Sequence, residues 1–136
     1  MKHQDLTEKL IGVFYEVYNE LGYGFLESVY QKAYTMVLAE QGIPFEQQPA
    51  MCVRFRGVEI GEFRADLIVE SLVILEFKAA RMIENSHERQ LYNYLRATDL
   101  EVGLLFNFGP RPVFRRLILE NDRKLAKGAV AGFSPY

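Results

Sequence analysis

Glu76 and Lys78 stand two residues apart near the end of the run Leu72-Val73-Ile74-Leu75-Glu76-Phe77-Lys78, whose first four residues suit the interior of a sheet. Side chains two apart on a strand point to the same face, so the acid and the base would project together from a strand otherwise built for burial. Asp66 lies in the preceding β-type run, and Glu27 in the first turn of an upstream helical segment. Three carboxylates suit Mg²⁺, with Mn²⁺ as the alternative, because such ions take oxygen ligands from one or two carboxylates, substrate phosphate and water. Lys78 would hold a phosphate oxygen or orient an attacking water, and together with a metal it would offset the cost of burying unpaired charge. Each residue also has a plain structural reading. A Glu and a Lys two apart are ordinary on an edge strand, Asp66 suits a turn, and Glu27 gains about 0.3–1 kcal/mol from a helix N-terminus.

The elements that must position these residues follow from periodicity. Residues 5–21 place Leu6, Leu10, Val13, Phe14, Val17 and Leu21 near a helical repeat, with Asp5 as N-cap and Gly22 and Gly24 at the end. A second helix is expected over 25–41, stopping at Gly42 with Pro44 just beyond. Three β-type runs follow at 51–56, 61–69 and 72–78, then a helix over 86–98, strands at 102–108 and 113–119, and a short helical or irregular tail over 121–136. A three-strand run followed by a strand reached through a helix implies an α/β fold, a mixed sheet with helices packed on it. For Asp66 and Glu76 to share a metal they must face the same way on adjacent antiparallel strands. That needs an odd loop, such as a three-residue loop at Glu70-Ser71-Leu72, or a bulge that resets the parity, whereas a regular two-residue Glu70-Ser71 turn with no bulge would place them on opposite faces.

These residues carry a resemblance. Asp66 followed by Glu76-Phe77-Lys78 resembles the D...(D/E)xK signature of the PD-(D/E)XK nuclease superfamily, and Gln90-Leu91-Tyr92-Asn93-Tyr94 resembles the QhxxY motif of its RecB-like and exonuclease branches. Upstream, Gly24-Phe25-Leu26-Glu27-Ser28-Val29-Tyr30 is similar to the G-x-x-E-x-x-Y string of the GxxExxY family within that superfamily. The likeness extends from about Glu20 to Phe108, with Tyr18 standing where family members often carry histidine. It implies a restriction-endonuclease-like fold and Mg²⁺-dependent hydrolysis of phosphodiester bonds, in DNA rather than RNA. Asp66, Glu76 and the backbone carbonyl of Phe77 would hold the ion, with Glu27 binding a second ion or the first through water. Lys78 would position water or phosphate, and Gln90 and Tyr94 would steady the site or touch the substrate strand. His87 resembles a histidine that precedes the glutamine motif, but it reads first as an exposed residue near the start of a helix.

Composition bounds the rest. At 136 residues the chain suits one domain spanning 1–136, with 25% charged and 49% hydrophobic residues. No apolar stretch approaches the roughly 20 residues of a membrane helix, the start lacks a signal-peptide core, and the lone Cys52 reads as a buried thiol, so the expected compartment is the cytoplasm. The net charge is −2, and residues 1–50 hold three basic and seven acidic residues, against thirteen and eleven in 51–136. The excess at Arg111, Arg115, Arg116, Arg123, Lys124 and Lys127 reads as a solvated face or a phosphate-contacting patch, with Arg115 and Arg116 as candidate substrate contacts. No G-x-S-x-G, paired cysteines or Gly-rich ATP loop supports another chemistry. Two classes stay open. One is a metal-dependent nuclease, with a homodimer completing a small substrate contact, and the other is an idle nuclease-fold module that binds nucleic acid or a protein.

Overall fold

The structure is a computed structural model that describes residues 2–126. Helix α1, Gln4–Leu21, buries Leu10, Val13, Phe14 and Val17 along one stripe, as the apolar spacing requires. It starts one residue before Asp5. His3, in the left-handed region at φ 53°, is the N-cap, so Asp5 lies in the first turn and does not cap. Helix α2 spans Glu27–Glu40 and begins later than expected. The residues before it form a loop, with Gly24 at φ 113°, and the Tyr30 hydroxyl pins that loop by donating to the Gly22 carbonyl at 2.6 Å and accepting from Phe25 N–H at 3.3 Å.

The strands are β1 Phe45–Gln47, β2 Ala50–Phe55, β3 Val58–Arg64, β4 Leu67–Val69, β5 Val73–Lys78, β6 Val102–Phe108 and β7 Pro112–Ile118, with α3 at Asn85–Arg96 and α4 at Asn121–Ala126. The main sheet has five strands in the order β1-β4-β5-β6-β7, and β2 and β3 form a separate two-stranded sheet. Only β5 and β6 run parallel in the main sheet, joined through α3, which makes it mixed as expected.

Two strand expectations are corrected. The run 61–69 is not one strand: it breaks at Ala65-Asp66 into β3 and β4, which lie in different sheets. The expected three-strand meander is therefore a hairpin that leaves the main sheet and a strand that stays in it. The vacant edge of β4 is filled by β1, which pairs Phe45 with Val69 and Gln47 with Leu67. Three residues after Pro44 are too few for alternation to show in a sequence.

Helices α1 and α2 cover one face of the main sheet, over Leu67, Val69, Val73, Leu75, Phe77, Leu104, Phe106 and Phe108. Phe14 stacks on Phe106 at 4.6 Å and Tyr30 on Phe108 at 4.3 Å, each aromatic pair contributing about 0.5–1.5 kcal/mol beyond area burial. The opposite face, with Ile68, Ile74 and Leu105, is covered by α3 through Leu91 and Leu95 and by Met51 and Phe63 of the hairpin. Gly103 sets how close α3 can come, since a Cβ there would meet Leu91 at 2.8 Å. Cys52 is buried and free. Among the described residues no helix is long and apolar enough to cross a membrane.

Candidate active site

The β4–β5 hairpin sets the geometry. Val69 pairs with Val73 and Leu67 with Leu75, so Glu70, Ser71 and Leu72 form the three-residue loop that same-face placement needs. Glu70 and Ser71 both take positive φ, 52° and 56°, and Leu72 N–H closes the turn onto the Val69 carbonyl at 2.9 Å. Extending that register by one residue sets Asp66 opposite Glu76, beyond the end of β4.

There the backbone ladder is replaced by a reciprocal exchange. Asp66 N–H donates to Glu76 Oε2 at 2.7 Å, and Phe77 N–H donates to Asp66 Oδ2 at 2.7 Å. This exchange accounts for the break in the run 61–69, because two side chains take the amides that a continuing strand would have paired. The Phe77 N–H points toward Asp66, and in a strand the carbonyl of the same residue points to the same side. The Asp66 carbonyl is itself held from two directions, by Gln48 N–H at 2.9 Å and by Gln31 Nε2 at 3.3 Å.

Burial and like charge act together on this pair. Glu76 is 4% exposed. Desolvation first, then the neighbouring Asp66 carboxylate, pushes its pKa up to about 8, against the lowering effect of the Asp66 N–H and Lys78. Asp66 is also raised, by burial first and by the charge of Glu27, while Phe77 N–H and Lys78 oppose the shift. Glu27, exposed at the start of α2, is thus near enough for both carboxylates to feel its charge. Among the described residues no three His, Cys, Asp or Glu side chains form a ready-made metal cage.

Lys78, on the same strand face as Glu76, donates from Nζ to Gln90 Oε1 of α3 at 3.2 Å. Tyr94, one helical turn beyond Gln90, lies flat on Phe63 of β3 at 4.2 Å. Its phenol is pushed up to about 12 by burial first and then by Glu76 and Asp66, which places it on the same side of the sheet as the acids. The structure therefore brings Asp66, Glu76, Phe77, Lys78, Gln90 and Tyr94 together, with Glu27 at the margin.

The basic run does not form one patch. Arg115 and Arg116 are adjacent on β7 and so point to opposite faces. Arg116 pairs with Leu104, on the face covered by α1 and α2, and its Nε is buried with no hydrogen-bond partner among the described residues. Arg115 lies on the Glu76 face, 3.9 Å from Glu88. Lys124 is buried, donating to the Thr98 and Leu100 carbonyls at 2.8 and 2.7 Å, and desolvation lowers its pKa to about 8. Lys127 falls outside the described residues. His87 is a helix-start residue: its Nδ1 accepts from Glu84 N–H at 3.1 Å in a capping box.

Three residues near the site were not singled out from the sequence. Gln31 lies one turn after Glu27 on α2, a spacing that could have suggested a shared face. Asn107 is a buried amide in an apolar strand, which is itself a signal. It accepts from Ala80 N–H and donates to the Ala80 carbonyl, both at 2.9 Å, and so fixes the chain two residues past Lys78. A Cβ on Gly109 would come within 2.3 Å of that same Ala80 carbonyl. Phe63, brought in by the departing hairpin, has no local signal.

Comparison with known proteins bears on the fold and the family. No curated protein matches the chain. The crystal structure of SSO0001 aligns with a TM-score of 0.49 at 18% identity, covering 74% of this chain, and this chain spans 55% of the length of that one. The profile of the PD-(D/E)XK nuclease superfamily matches residues 4–117, including Glu27, Asp66, Glu76, Lys78, Gln90 and Tyr94. The mixed sheet flanked by helices is the restriction-endonuclease-like architecture of that group, and the chain belongs to the PD-(D/E)XK nuclease superfamily.

Proposed function

We propose that this protein is a divalent-metal-dependent nuclease that hydrolyses phosphodiester bonds, with DNA as substrate and Mg²⁺ as the ion, Mn²⁺ substituting. Within the superfamily we place it in the GxxExxY family, on Gly24, Glu27 and Tyr30. The observation that carries the reading is the pairing of the buried Glu76 with the half-buried Asp66 beside Lys78. Each carboxylate spends one oxygen on a backbone amide, which leaves Asp66 Oδ1 and Glu76 Oε1 without a hydrogen bond among the described residues. Two repelling acids, one buried and one half-buried, each with a spare oxygen and with the Phe77 carbonyl turned the same way, fit a hard cation. Mg²⁺ is commonly held by just one or two carboxylates with water and phosphate completing its shell.

Asp66, Glu76 and the Phe77 carbonyl would hold the ion, and Glu27 would act on it through water or support a second. When bound, the ion supplies a Lewis acid toward phosphate and water. Lys78 brings a positive charge to the scissile phosphate or the attacking water, where charge grows in the transition state. Gln90 fixes the ammonium by accepting one of its protons, and the Tyr94 phenol, kept neutral well above physiological pH, can donate to a substrate oxygen.

The test is cleavage of a panel of DNA substrates with Mg²⁺ or Mn²⁺, compared with Lys78→Ala. Removing a charge that acts in the transition state should lower the rate by about 10²–10³ while the fold is retained. A second reading is a nuclease-fold module that binds nucleic acid without cutting it, favoured by the absence, among the described residues, of any group of three His, Cys, Asp or Glu side chains that could hold a metal. Purified protein that binds DNA but shows no cleavage with either ion would favour it.

A further inference from the structure

Beside the acidic pair, on the same face of the sheet, lies a cavity of about 650 Å³ whose lining includes Tyr23, Arg81, Met82, Asn107, Arg111 and Arg115. Its position follows from register. Lys78 pairs with Asn107 across the parallel β5–β6 ladder, Asn107 pairs with Val113 across β6–β7, and Arg115 is two residues further along that face. The cavity thus begins one strand over from Lys78, and Asn107, which forms part of its wall, also holds Ala80, the residue before Arg81.

Its chemistry is distinct from that of the carboxylate pair. Arg81 and Arg111 are exposed and have no ion pair or hydrogen bond among the described residues, while Arg115 donates from Nη1 to the Phe114 carbonyl at 3.1 Å and lies 3.9 Å from Glu88. Three guanidiniums around one cavity, two of them unspent, form a site for an anion with several oxygens, which arginine meets through paired N–H donors. Beside them Tyr23 and Met82 are 63% and 65% exposed and so offer an aromatic and an apolar surface to a ligand in the cavity. An aromatic face next to a cluster of arginines is the pairing that single-stranded nucleic acid uses, base on ring and phosphate on guanidinium. The volume suits one nucleotide, within the range of small-ligand sites.

We infer that this cavity seats the nucleotide adjoining the scissile phosphate, with Arg81, Arg111 and Arg115 on its phosphate and Tyr23 against its base. The inference rests on the nuclease reading and adds to it a strand path, running from the carboxylate pair across β6 to β7. It also explains why a chain of net charge −2 can engage a polyanion: the basic charge that matters is gathered beside the site, and the overall balance is irrelevant to it.

The test is fluorescence anisotropy with a short labelled single-stranded DNA, with Ca²⁺ present to hold the complex, as a function of salt. The double variant Arg81→Ala/Arg111→Ala should weaken binding roughly tenfold or more and reduce the slope of log K against log salt by about 1.4, which is 0.7 for each of two lost phosphate contacts. Tyr23→Ala should weaken binding and leave that slope in place, because stacking releases no counterions. Lys9→Ala, an exposed lysine of α1, serves as the control and should change neither. Wild-type affinity and slope in the double variant, with cleavage by the wild type intact, would overturn the cavity assignment and leave the nuclease reading standing. Wild-type protein that neither binds nor cleaves DNA would overturn both.

Discussion

Asp66 and Glu76 face each other just past the end of the β4–β5 pairing and each takes a backbone amide from the other's strand, at 2.7 Å in both directions. The exchange holds a buried and a half-buried carboxylate side by side. It also opens the sheet at that point, since the side chains stand in for the ladder. Structure and electrostatics are therefore linked at this pair.

That link makes stability depend on pH. The folded-state pKa of Glu76 is about 8, well above the value near 4.5 of a free glutamate. The folded protein thus holds a proton that the unfolded chain releases, and the stabilisation from it is full below about pH 4.5 and lost as pH rises through about 8. The melting temperature of metal-free protein should fall between pH 5 and 8, and Glu76→Gln should flatten that fall. A Glu76→Gln profile as steep as the wild type's would show that another group titrates.

Divalent ions should relieve the same repulsion. At pH 8, millimolar Mg²⁺ or Mn²⁺ should raise the melting temperature, with about 1.4 kcal/mol of stabilisation at ten times the dissociation constant. Asp66→Asn should abolish the shift by removing a ligand. Calorimetric titration of both proteins checks this, and equal heats in the two would rule Asp66 out as a ligand.

Gln90 should behave as a positioning residue for Lys78. Gln90→Leu removes the acceptor of the 3.2 Å bond from Nζ while leaving the charge in place. Its effect should be smaller than that of Lys78→Ala, about tenfold in kcat, equivalent to about 1.4 kcal/mol in the barrier. Gln90→Glu, which keeps an acceptor, should recover part of the loss. Single-turnover cleavage distinguishes the three variants.

The pin at Tyr30 predicts a separable effect. Tyr30→Phe keeps the stack on Phe108 at 4.3 Å but loses the hydroxyl that joins Gly22 to Phe25. Stability should drop by about 1–2 kcal/mol in urea melts. Metal affinity should weaken too, because the loop that presents Glu27 loosens.

Asn107 gives the largest expected loss of stability. Asn107→Leu strands both the N–H and the carbonyl of Ala80, each such group costing about 1–3 kcal/mol when left unpaired. Chemical denaturation should show a loss of about 2–4 kcal/mol, with cleavage falling as the end of β5 shifts.

The sequence by itself determined what local chemistry encodes. Apolar spacing marked α1, α2 and α3, because a 3.6 repeat must bury its face whatever lies opposite, and near-continuous apolar runs marked the central strands that hold Glu76 and Asn107, which are covered on both faces. The odd loop needed between Asp66 and Glu76 could be stated from parity alone, and Glu70 to Leu72 form it. Tertiary structure decided what depends on a partner distant in the chain. β1 exists because β4 has a free edge, and the run 61–69 breaks because Glu76 and Asp66 exchange amides across the hairpin. Arg115 and Arg116 look like one patch in a line of letters, yet a strand's alternation sends them to opposite faces, while Arg81 and Arg111, thirty residues apart, meet at one cavity. Which charges share a space is set by sheet order and register, and those are settled only when every strand has found its neighbour.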